Sequence, residues 1–156
     1  MEELDASDVR KILNGDYVPK RPAKQVCGER LVIVLPIPPA ATRPNARCHW
    51  AQKAKAVKNQ RQSAGIAARH ALKGCRPPLW TLAKVRATFY RNNPRCRKAD
   101  SDNLLSWLKG SFDGLQDAGI IDNDNGLIHL PPVQVLGKEA GSRNMVVLEI
   151  ERDAGT

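Results

Sequence analysis

Between Leu31 and Ala99 the chain carries not one Asp or Glu, yet it holds 15 Lys and Arg over the same span. Whatever folds from this stretch must turn its cations outward, to solvent or to a bound polyanion, because an unpaired buried charge is prohibitively costly. From Asp100 to Asp124 the balance inverts, with six Asp against Lys109 as the only base. A net charge of +9 is by itself compatible with nucleic acid, acidic lipid or mere solubility. Its distribution says more. A basic surface around one acidic knot suits a protein that holds a polyanion and brings metal ions to it. A solvated basic face beside an acidic loop is the plain alternative.

At 156 residues the chain fits one domain with a single core. Apolar residues make up 42% and aromatic ones only 4%, so Leu, Ile, Val and Ala are expected to fill the interior. No run approaches the roughly 20 apolar residues that span a bilayer. The opening MEELDASDVRK lacks the basic-then-apolar pattern of a secretory signal. The expectation is a cytoplasmic protein with no membrane partner. Cys27, Cys48, Cys75 and Cys96 stand more than twenty residues apart without a C-x-x-C pair, which predicts free thiols rather than zinc ligands.

Residues 1–30 read as an appended segment of unknown role, with Ser7 as the cap of a short helix through Leu13, then a Pro- and Lys-containing linker. The core domain is expected over 31–151, with 152–156 as a tail. LVIVLP (31–36) is a short apolar run, consistent with a buried strand. The prolines of 36–47 force an irregular loop. His49 to Lys73 predicts a helix with Ala54, Val57, Ala64, Ala68 and Leu72 near one stripe. Leu82 to Tyr90 alternates as a half-buried strand, and 91–99 is a basic loop. A second helix is predicted from Asn103 to Asp117, with Leu104, Leu105, Leu108, Phe112 and Leu115 inward and Gly119 after its end. Strands are expected at 127–130, 133–136 and 145–151. This order predicts a mixed α/β (α+β) fold, a small mixed sheet covered by two main helices.

Chemistry would reside in KADSDNLLSWLKGSFDGLQDAGIIDNDNGLI (98–128). In an extended approach to the helix, Asp100 and Asp102 point to one side. Two adjacent carboxylates suit a hard divalent cation, and Mg²⁺ takes one or two of them while keeping several waters. Asp124 follows after the chain has turned, so it can join them only through tertiary packing or a second subunit. Lys109, seven residues beyond Asp102, is expected on the same helical face, where it either neutralises a phosphate in the transition state or pairs with Asp113. D-x-D-N alone is a weak signal, since Asp102 or Asn103 would serve as a helix cap. Trp50 is expected in the interior, with a wedge into a junction centre beside His49 as the alternative, and Trp107 in packing or a dimer contact.

As a set these residues resemble the RusA family of Holliday junction resolvases. The family's D-x-D-N, its later lysine, its F-D-x-L segment and its glycine followed by an acidic pair are similar to Asp100-Ser-Asp102-Asn103, Lys109, Phe112-Asp113-Gly-Leu115, Gly119 and Asn123-Asp124. An early L-P-x-P-P with a following asparagine resembles Leu35–Pro39 and Asn45. The similarity spans about 31–151. Two positions depart from the pattern: the lysine stands about three residues later than usual, with Ser106 at its ordinary place, and Asn123 replaces the first Asp of the pair. The resemblance implies a homodimer acting on branched DNA such as a four-way junction. It further implies Mg²⁺, or Mn²⁺ in its place, held by Asp100, Asp102 and Asp124, with Lys109 as charge partner in phosphodiester hydrolysis. Arg43, Asn45, Arg47, Lys53, Lys55, Lys58, Arg95, Arg97 and Lys98 are the expected DNA contacts. The runner-up is a non-catalytic nucleic-acid-binding module, indifferent to Mg²⁺. A small-molecule phosphatase fits D-x-D but gives the long basic stretch no purpose.

Overall fold

The structure, a computed structural model, describes residues 28–154. The helix and linker expected in 1–27, together with Cys27, lie outside the described residues. Strand β1 (Arg30–Pro36) is followed by α1 (Trp50–Ala71), β2 (Ala83–Arg91), α2 (Ser101–Trp107), α3 (Lys109–Asp117), β3 (Leu127–His129), β4 (Val133–Leu136) and β5 (Met145–Arg152). This is the expected mixed α/β architecture, with three helices rather than two. No helix among the described residues is long and apolar enough to cross a membrane.

The sheet runs β1-β5-β2, with both pairings antiparallel. The far edge of β2 pairs in parallel with β3 at Ala83–Val85 and with β4 at Thr88–Arg91. Pro131 and Pro132, which have no N–H to donate, separate β3 from β4, while Leu130 N–H reaches the Val85 carbonyl at 2.9 Å between them. Ala83, Val85, Ala87 and Phe89 of β2 are buried, and Lys84 and Arg86 are exposed, as period-two alternation predicts. The same alternation holds in β1, where the sequence suggested burial on both faces. Leu31, Ile33 and Leu35 are buried, but Val32 and Val34 are exposed, because the helices pack on one face of the sheet and the other face is open.

The helix expected over 103–117 is two. Leu108 (φ −87°, ψ 0°) separates α2 from α3, its N–H turning back to Leu105 at 3.1 Å in a tightened turn. The Trp107 carbonyl at the break is taken by Gln60 of α1, whose Nε2 donates to it at 2.8 Å and to Ser111 Oγ at 3.0 Å. A buried glutamine from a distant segment thus stabilises the interruption. Beside it α1 and α3 meet almost backbone to backbone. A Cβ on Gly114 would overlap the Arg61 carbonyl and stand 2.7 Å from the Ala64 Cβ, so only glycine fits there.

Helix α1 begins at its cap, His49, whose Nδ1 accepts from Ala51 N–H at 3.2 Å. Its two halves differ. Gln60, Ala64, Gly65 and Ala68 are buried, whereas Trp50, Ala54 and Val57 are exposed. The expected stripe therefore packs only along its C-terminal part. Trp50, expected inside, is outside.

Candidate functional site

An open groove of about 810 Å³ lies between the proline-rich loop after β1, the start of α1, the loop 92–100 and α2. Its walls carry Arg43, Arg47, Arg91, Arg95 and Arg97, with Asn45, Gln52, Asn93 and Asn103 between them and no acidic side chain. Five guanidiniums sharing one groove repel one another unless an anion or a π-surface lies between them. Trp107 supplies part of that surface from the floor. It is buried, its Nε1–H donates to the Pro39 carbonyl at 2.9 Å, and it stacks on Phe89 at 6.1 Å. The Arg43 and Arg91 guanidiniums sit over its ring at 4.6 and 5.6 Å from the centroid, which stabilises each cation.

Of the expected DNA contacts, Arg43, Asn45, Arg47, Arg95 and Arg97 line this groove. Lys98 is exposed in the same loop. Lys53, Lys55 and Lys58 lie on α1, and Lys53 and Lys58 border a separate shallow face with Trp50. Sequence reasoning missed Arg91, at the end of β2, because strand alternation alone does not show that a strand's last residue faces a cleft. It also missed Gln134 on β4. That side chain grips residue 99 from both sides: its Oε1 accepts from Ala99 N–H and its Nε2 donates to the Ala99 carbonyl, each at 2.9 Å. No local pattern announces a contact 35 positions away.

The clamp matters because Asp100 comes next. Asp100 is the N-cap residue of α2, and its backbone carbonyl accepts from Leu104 N–H at 3.1 Å. Neither Asp102 nor Asn103 occupies the cap position, and Asp100, which does, gives it no side-chain hydrogen bond. Asp102 stands exposed in the first turn of α2. Groove residues Ala99 and Asn103 flank the two aspartates in the chain, so the acidic pair adjoins the groove-lining residues in sequence.

Asp124 is arranged differently. It opens a short 3-10 turn (Asp124–Gly126) whose cap is Asn123, with Asn123 Oδ1 accepting from Asn125 N–H at 3.0 Å. Asn123 thus has a structural role as the cap of this turn. A Cβ on Gly126 would overlap the Thr81 carbonyl, so glycine lets the turn lie against that segment. Lys109 Nζ approaches Asp124 Oδ2 at 3.5 Å. The lysine's recorded partner is thus Asp124 and not Asp113, and the break at Leu108 ends the continuous helix that was to align Lys109 with Asp102. His129 lies near this pair, its ring 5.0 Å from that of Phe112. Burial pushes its pKa down, partly opposed by the Asp124 charge.

Among the described residues no three His, Cys, Asp or Glu side chains are gathered closely enough to hold a metal ion. The candidate ligands divide into the Asp100–Asp102 pair and an Asp124 beside Lys109. The pair by itself matches what Mg²⁺ commonly takes from a protein, one or two carboxylates with water completing the shell. Cys48, Cys75 and Cys96 are free thiols.

No family model matches the chain. It is 33% identical over 123 residues to a protein of Xylella fastidiosa (strain Temecula1) described as an uncharacterized protein, and the match covers 78% of each chain. With that identity carried over most of both sequences, the chain belongs to the same family as the Xylella fastidiosa protein.

Proposed function

We propose that the chain is a Mg²⁺-dependent, structure-specific endodeoxyribonuclease that acts as a homodimer and resolves Holliday junctions or other branched DNA by paired nicks. The single observation that carries this reading is the five-arginine groove, whose lining residues Ala99 and Asn103 bracket Asp100 and Asp102 in the chain. Arginine forks engage phosphate oxygens in pairs, so a strand held by Arg43, Arg47, Arg91, Arg95 and Arg97 would bring its phosphodiesters toward the aspartates. Asp100 and Asp102 would hold the ion, and Asp124, which does not gather with them among the described residues, would join as third ligand only from a second protomer. Bound there, Mg²⁺ would supply Lewis acidity and an activated water for in-line displacement. Lys109, beside Asp124, would neutralise charge developing on the phosphate. The resemblance to RusA resolvases supports the same reading. A two-fold dimer would match the symmetry of a four-way junction and present one such site to each of two opposed strands.

The test is an Asp102→Asn variant assayed on a synthetic four-way junction. The reading expects nicking by the wild type that requires Mg²⁺, and loss of nicking with junction binding retained in the variant. Undiminished cutting by the variant rules the scheme out. A second reading, a non-catalytic nucleic-acid-binding module, draws support from the Lys109–Asp124 pair, since a carboxylate already facing an ammonium has less need of a cation. It expects junction binding indifferent to Mg²⁺ and no scission at any metal concentration.

A further inference from the structure

The first half of α1 presents an aromatic ring and cations that, among the described residues, stand open apart from the neighbouring His49 ring. Trp50 is 76% exposed, against 7% for Trp80 and 4% for Trp107. A shallow concavity follows this face, lined by Trp50, Lys53, Ala54, Val57, Lys58 and Arg61. These positions recur at helical spacing and form one stripe. The His49 ring stands 5.5 Å from the indole. An open indole of this kind is a large apolar surface left in water.

Charge selects the occupant. Helix α1 carries Lys53, Lys55, Lys58, Arg61 and Arg69 and no acid. Arg61 pairs with Asp117 at 2.7 Å, while Lys53 and Lys58 enter no ion pair among the described residues. A second copy of the chain laid on this face would bring like-charged stripes together. A polyanion would not. The face begins one residue from the arginine groove along the helix: Gln52 lines the groove and Lys53, the next residue, lines the concavity, and neither surface contains an acidic side chain. Within a duplex the bases cover one another's faces, so the ring can receive only a base that has left the stack.

We propose that Trp50 is a stacking platform for an unpaired base of a strand leaving the arginine groove, with Lys53 and Lys58 on the neighbouring phosphates. This rests on the nucleic-acid reading of the groove and adds to it a preference for strands with unpaired nucleotides. Aromatic stacking is sequence-tolerant, because every base has a π-face. The platform therefore selects strand structure rather than sequence.

The experiment measures binding of the full-length chain to an oligothymidylate and to a blunt duplex of equal length, without divalent metal. It compares the wild type with Trp50→Ala, Trp50→Phe and a double Arg95→Gln/Arg97→Gln variant. Trp50→Ala is expected to weaken oligothymidylate binding about tenfold and to weaken duplex binding much less, with Trp50→Phe retaining most of the difference. Because the other two tryptophans are buried, oligothymidylate should also quench the wild-type emission. The double arginine variant should weaken both probes. Equal losses on both probes, or none on oligothymidylate, overturn the platform while leaving the groove intact if the arginine variant still loses affinity. If the wild type binds neither probe, the groove reading falls and the platform with it. A shift from dimer to monomer on Trp50→Ala, with the probe ratio unchanged, assigns the face to a second copy and also overturns the proposal.

Discussion

The two halves of α1 share a recurrence of alanine and do opposite work. From Gln60 to Leu72 the helix is sealed: small residues let α3 approach to backbone contact, and Gln60 takes the carbonyl left over at the α2–α3 break. From Trp50 to Asn59 the same helix stands largely in solvent with its lysines and an open indole. Alanine recurs throughout both, whereas Lys53, Lys55 and Lys58 all fall in the open half and the sealed half carries Arg61 and Arg69. What separates them is a handful of contacts from other segments, chiefly Gly114, Gly110 and Ser111 on α3. One helix can therefore anchor the core at one end and leave its lysine-bearing end open to solvent.

The sharpest way to break this contrast is to force the sealed half apart. Gly114→Val places side-chain atoms where the Arg61 carbonyl and Ala64 already are, and it should cost about 3 kcal/mol. Urea denaturation would show this as a lowered midpoint with an unchanged slope. The matching change in the open half, Val57→Ala, should stay within about 0.5 kcal/mol. Comparable losses would erase the distinction. Gln60→Ala comes next. It leaves the Trp107 carbonyl and Ser111 hydroxyl without their shared donor, and should cost about 2 kcal/mol, read in the same denaturation series.

On the binding side the effects are smaller per residue but carry a salt signature. If Arg95 and Arg97 contact phosphates, replacing both with Gln should reduce the slope of log affinity against log salt by about 2, as measured by fluorescence anisotropy. An unchanged slope would leave the groove as a solvated surface. The smallest effect is acid sensitivity at His129. Burial holds its pKa below the ordinary histidine value, so the unfolded chain takes up the proton first as pH falls. Its contribution is complete above the unfolded-state pKa and is lost as pH drops through the depressed one. His129→Gln should therefore flatten the acid side of a stability–pH curve between those two values and leave neutral pH untouched.

Much of the architecture could be read from the chain. Alternation in 83–90 and 145–151 gave two strands with the correct faces, since a half-covered sheet imposes period two directly. The interruption at Leu108 was illegible because its cause, Gln60, lies 47 positions away and looks like any surface glutamine. Trp50 was misplaced for a related reason. Its ring suggested burial, and no local pattern shows that the first turns of α1 stand open. At the site, Arg43, Asn45, Arg47, Arg95 and Arg97 could be picked out because charge and loop composition coincide there. Arg91 and Gln134 could not, because their role arises only when β2, β4 and the loop 92–100 are brought side by side. The grouping of Asp100 with Asp102 follows from adjacency, whereas the situation of Asp124 is set by Lys109 and by the Thr81 segment against Gly126.

The account turns on Asp100 and Asp102 holding a divalent ion. Anomalous scattering from crystals soaked in Mn²⁺ tests this most directly. The account expects a manganese peak within coordination distance of both carboxylates. Full soaking that leaves these two side chains without metal, in crystals where they are open to solvent, would contradict it.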